Sequence, residues 1–161
     1  MSEIERYRDR LERARRELAA SPLIGPGLPG PPDPETGERW DRSHVLAHLA
    51  EMLPYWSEQV RAVLAGGTEM GRSPSDWERR RRAVESAHAR SEAALRGEIE
   101  AGVESLASLL ATMTDADLGR QVTFRGHEGD RQLTLAEALE RVLVGHLEAH
   151  LRQLAELTSA G

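Results

Sequence analysis

Apolar residues return every three or four positions in four separate stretches of this chain, with charged residues filling the gaps. Ile4, Tyr7, Leu11, Ala14 and Leu18 form the first such stripe and predict an amphipathic helix over about 3–20. A second stripe runs from Asp41 through Val45, His48, Leu49, Met52, Trp56, Val60 and Val63. Asp41 or Ser43 is available as its N-cap and Gly66-Gly67 as its stop. Pro54 interrupts it and deprives the Ala50 carbonyl of its helical donor, which predicts a kink just beyond His48.

A third pattern begins at Ser73-Pro74-Ser75-Asp76, a cap followed by a proline and an acid. It continues through Val84, Ala87, Ser91, Leu95, Ile99, Val103, Leu106, Leu110 and Met113. Unbroken, it would span roughly 60 Å at about 1.5 Å per residue, far longer than its partners, so a break is expected between Ala87 and Ser91. The last pattern opens on the capping box Thr134-Leu135-Ala136-Glu137. It runs as one continuous stripe through Leu139, Val142, His146, His150, Gln153 and Leu157.

Two connections stand out. The 19-residue segment 21–39 contains six prolines and four glycines, which excludes helix and central strand and predicts an extended loop crossing the fold. Residues 121–133 hold two short β-prone pieces around Gly126 and Gly129, expected as a small hairpin or an irregular loop. With no internal repeat and no domain boundary, residues 1–161 read as a single all-α domain, a four-helix bundle of the globular kind.

Composition narrows the chemistry. Cysteine is absent, so disulfides, thiolate metal sites and cysteine nucleophiles are excluded, and metal binding is left to histidine and carboxylate. The net charge of −6 disfavours nucleic acid and anionic membranes as partners. No apolar run is long enough for a membrane span, and the charged start MSEIERYRDR is no signal peptide, so a cytoplasmic protein is expected. All 21 basic residues are arginine.

Four of the six histidines form two pairs of identical spacing, His44 with His48 and His146 with His150. Residues four apart share a helical face and can aim two imidazoles at one point. His48, His146 and His150 also occupy apolar stripes, where an unsatisfied polar group costs about 1–3 kcal/mol and a shared divalent cation would turn that cost into a gain. His44, at the start of its helix, reads as a rim residue or as a second-layer or acid/base group beside the metal. Glu51, Tyr55 and Trp56 follow along the same side as wall or mouth of a pocket, though core filling is the simpler reading of Met52 and Trp56. His88 and His127 have no partner spacing and are expected at the surface. Glu85 and His88 give one carboxylate–histidine motif where a di-iron bundle needs two, and HLEAH lacks the glutamate position of a zincin.

HVLAHLAEMLPYW at 44–56, preceded by Trp40, together with GHLEAHLRQL at 145–154, resembles the DinB-like superfamily of metal-binding four-helix bundles. It looks nearest the branch containing the N-terminal domain of mycothiol-dependent maleylpyruvate isomerase and the bacillithiol-dependent transferases. The resemblance implies a divalent metal on His48, His146 and His150, and mycothiol or bacillithiol as cosubstrate. No counterpart of the isomerase's second domain is present, which weighs against isomerisation itself. Three imidazoles leave coordination positions open, as in catalytic sites, with zinc the first expectation and nickel or iron(II) the alternatives. The expected function is a metal-dependent transferase, isomerase or hydrolase that activates a low-molecular-weight thiol or water for a small-molecule substrate. The alternative is a non-catalytic, stress-associated or dimerising bundle with a structural metal; a homodimer fits either.

Overall fold

A computed structural model of the chain describes residues 1–34 and 36–160. Helix α1 (Glu3–Ala20) starts on a reciprocal cap between Ser2 and Glu5 and buries the stripe Ile4, Tyr7, Leu11, Ala14 and Leu18. Helix α2 (Arg42–Leu64) starts on Asp41 and continues through Pro54, whose ring lies on the exposed side. The third pattern is broken where its length required it. Helix α3 (Pro74–Glu85) gives way to a single 3-10 turn, Ala87–Ala89, and helix α4 (Glu92–Thr112) restarts on a Ser91 cap.

After a short helix α5 (Asp115–Leu118) the chain forms strands β2 (Gln121–Gly126) and β3 (Gly129–Thr134), an antiparallel hairpin closed by His127 and Glu128. Strand β1 (Glu69–Gly71), which follows α2, pairs in parallel with β2, giving a sheet ordered β1-β2-β3. The all-α expectation therefore misses a small three-stranded sheet. Its missing member is three residues long, too short to display an alternating pattern, and its partner lies more than fifty positions away.

The last stripe is also not one helix. Helix α6 (Leu135–Val142) ends at Leu143, which leaves the helical conformation, and helix α7 (Val144–Ala160) begins at once. Gly145 makes this junction tight: a Cβ there would collide with the Glu140 carbonyl oxygen. Leucine is a strong helix former, so the break residue itself gives no signal; Gly145, two positions on, is the local one.

Helices α1 and α2 each pack on both α4 and α7 around one apolar core, and the proline-rich loop crosses between them. Two buried arginines hold that loop. Arg42 donates to the carbonyls of Gly25 (3.1 Å) and Pro22 (2.8 Å) and pairs with Glu92 (2.7 Å). Arg96 donates to the carbonyls of Leu18 and Ser21 at the end of α1. Backbone that cannot enter a helix thus has its carbonyls satisfied by guanidinium groups. The sheet backs α2 from the other side, with Phe124 stacked on Trp56 at 5.6 Å between ring centroids. Among the described residues no helix is long and apolar enough to cross a membrane.

Candidate metal centre

His48, on the buried face of α2, meets His146 and His150, one turn apart on α7. The Nε2 of His146 is 3.0 Å from the Nε2 of His48 and 3.0 Å from that of His150. Donor atoms each about 2.1 Å from one shared cation lie roughly 3.0–3.4 Å apart, so both separations from His146 match the spacing of a ligand set. The three residues form a group able to hold a metal ion.

The state of the rings fits that use. Burial and the neighbouring imidazoles hold His48 well below the ordinary histidine pKa, and burial pulls His146 down to about 3. His150 is also lowered by burial, against a hydrogen bond to Gln153 that works the other way. All three are neutral at pH 7 and offer lone pairs, as metal binding requires. His150 Nδ1 lies 2.8 Å from Gln153 Oε1, which places the ring proton on Nδ1 and leaves Nε2 as a free donor. His48 Nδ1 is buried and has no hydrogen-bond partner among the described residues, a cost that the fold carries to seat this ring. Trp40 covers the group, tilted against His48 at 5.3 Å and stacked on His150 at 5.9 Å.

The remaining candidates from the sequence divide. His44 is not beside the three rings. Its Nδ1 accepts from the Asp41 backbone N–H (3.2 Å), completing the cap of α2, and its ring faces His88 at 4.8 Å. His88 is exposed but bonded to the buried Asp41 carboxylate at 2.6 Å, so Asp41, His44 and His88 make a second polar cluster. Glu51 spends both oxygens on the buried Arg72, at 2.6 and 2.9 Å, and so is a charge partner rather than an open base. Tyr55 points away from the rings. Its hydroxyl donates to the Gly71 carbonyl at 2.6 Å, and burial with the nearby Asp76 raises its pKa to about 12.

Trp56 does line a cavity, of about 870 Å³, whose lining includes the three histidines. Its walls combine Trp40, Trp56, Trp77 and Phe124 with Arg72, Arg80, Arg125, Arg131 and Arg141, and residues of the proline-rich loop close one side. The volume suits a ligand of cofactor size. The sequence offers no functional reading of Gln153, Arg72 or Trp77, and the charged run Glu78–Arg82 reads as a solvated helix face, whereas Arg80 is half-buried in the cavity wall. Only Gln153 carried a local signal, as a polar residue on the apolar stripe three positions after His150.

A family model for the DinB superfamily matches residues 5–154, nearly the whole chain. The protein belongs to the DinB superfamily. Among solved structures it resembles a crystal structure of the mycothiol-dependent maleylpyruvate isomerase, with a TM-score of 0.64 and 20% sequence identity. The match covers 95% of this chain and 61% of the isomerase chain, so this chain spans less than two thirds of that protein's length. At that identity the likeness speaks for the DinB-like fold. A search of curated proteins returned no match.

Proposed function

We propose that this DinB-superfamily protein holds a divalent cation, zinc first, on His48, His146 and His150, and uses it to react an external low-molecular-weight thiol with a small electrophile. The convergence of three neutral imidazoles in the lining of an open cavity, with the Nε2 of His146 3.0 Å from that of His48 and from that of His150, carries this reading. When bound, such a cation supplies a Lewis acid that lowers the pKa of a thiol or water ligand toward neutrality.

The protein's own groups do the rest. The chain has no cysteine, so a thiol nucleophile must come from outside. The isomerase of similar fold is mycothiol-dependent, which makes mycothiol the first cosubstrate to try and bacillithiol the second. Gln153 fixes the His150 ring so that its free nitrogen faces the centre. Trp40 shields two of the rings from bulk water, which strengthens every charge interaction beneath it. With their pKa values pulled down by burial, the three rings are poor proton acceptors near neutrality, so a proton leaving the thiol passes to water or substrate in the open cavity.

Metal analysis of untagged protein, followed by a screen for thiol-dependent consumption of electrophiles, tests the proposal. His150→Ala is expected to lose bound metal and turnover together while the metal-free melting temperature stays close to that of the parent. A metal-free parent protein, or one whose metal is needed only for folding and supports no thiol-dependent turnover, would overturn it.

A further inference from the structure

Five arginines stand in the cavity wall, and most are neutralised. Arg72 is paired with Glu51, Arg125 with Glu69 and Asp130, and Arg131 approaches Glu128 at 3.7 Å. Arg80 is different. It projects from α3 into a half-buried position between two indoles, its guanidinium carbon 5.6 Å from the centroid of Trp40 and 5.6 Å from that of Trp77. Among the described residues no carboxylate reaches it at ion-pair distance; Glu38, Glu51 and Asp33 act on it only from further away. A partly desolvated guanidinium held without a counter-charge is costly unless something supplies one.

Its neighbourhood indicates what would. Trp40, which flanks Arg80, also covers His48 and His150, and the Arg80 charge is felt by all three histidines. A second guanidinium of the wall, Arg141, lies 5.3 Å from the Phe124 ring centroid and likewise has no ion-pair partner among the described residues. The lining also holds Asp33, Glu38 and Glu128, so an anion would be drawn by these two guanidinium groups and not by a net charge of the wall. Guanidinium groups bind carboxylate and phosphate oxygens through paired N–H donors, and the flanking indoles fix the plane in which they are offered.

We propose that the cavity takes an organic ligand carrying a carboxylate or phosphate group, and that Arg80, clamped between Trp40 and Trp77, binds that group while the rest of the molecule reaches the three histidines. This deepens the thiol reading and rests on it only for the end of the ligand at the metal.

All three tryptophans of the chain line this cavity, so intrinsic fluorescence reports on its occupation. Succinate and inorganic phosphate are titrated into zinc-loaded and chelator-treated protein, with uncharged succinamide as control, and zinc uptake is measured on the same samples. At least one anion is expected to give a saturable fluorescence change that succinamide does not. Arg80→Gln should weaken it by about tenfold or more, and Arg80→Lys by less, with zinc uptake unchanged in both. Whichever anion binds tighter identifies the group. Absence of saturable binding for both anions, or equal binding by Arg80→Gln, would overturn the proposal. Arg80-dependent binding in protein that takes up no zinc would sink the metal reading alone.

Discussion

The Nδ1 of His150 and the Oε1 of Gln153 face each other at 2.8 Å, three residues apart on α7. The amide oxygen accepts the ring proton, and the other ring nitrogen is thereby turned, unprotonated, toward His146 and His48. A residue outside the ligand set thus decides which tautomer the ligand adopts.

Replacing Gln153 with Leu should therefore weaken metal binding by about 10–100-fold without removing any ligand. Competition with a chromophoric chelator would measure it. The melting temperature of the metal-free protein should hardly move, since Gln153 is half-buried at the cavity wall.

His48→Leu should act in opposite directions on metal and on fold. The ring is buried and its Nδ1 has no partner among the described residues, so an apolar side chain of similar size removes a desolvation cost of about 1–3 kcal/mol. Metal binding should be lost while chelator-treated protein becomes more resistant to urea.

The histidines also set the pH dependence of the metal-free fold. In the unfolded chain each titrates near 6.5; in the fold burial lowers all three, His146 to about 3. Between those values the unfolded state binds more protons, so their contribution is fully present above pH 6.5 and lost as pH falls. The loss is at most about 1.4 kcal/mol per ring per pH unit. Urea midpoints taken from pH 7.5 down to 5 should fall in the metal-free parent, and fall less steeply in His48→Leu.

Glu51 makes its contribution through Arg72, whose guanidinium lies over the rings of Tyr55 (4.1 Å), Trp56 (5.2 Å) and Trp77 (5.6 Å). Glu51→Ala leaves that buried charge uncompensated and should cost about 3–5 kcal/mol of stability by denaturant unfolding. A Glu51→Ala protein with unchanged stability and lost activity would instead make Glu51 a group of the reaction.

Local patterns are legible in a chain because they are written at neighbouring positions. The capping residues Asp41, Ser73 and Thr134, the stripe of α1, the break after Ala87 and the hairpin at Gly126 and Gly129 are all of this kind. So is the concentration of histidine on two apolar stripes, together with the resemblance to the DinB superfamily that follows from it. Spacing alone also placed Glu51 and Tyr55 near His48, because residues three, four and seven apart share a helical side. Which group each of them meets there is a separate matter.

By itself, then, the amino-acid order determined the long helices, the absence of any thiol of the protein's own and the three histidines worth bringing together. Tertiary structure alone decided that the His146 nitrogen stands 3.0 Å from those of His48 and His150, that β1 joins the hairpin, that the helix breaks at Leu143, and that Glu51 is held by Arg72 while Arg80 has no carboxylate at ion-pair distance among the described residues. The physical reason is range. Helix caps and amphipathic stripes arise from interactions over one or two turns, whereas charge pairing and ligand convergence depend on segments tens of residues apart, whose meeting is set by how the whole core packs.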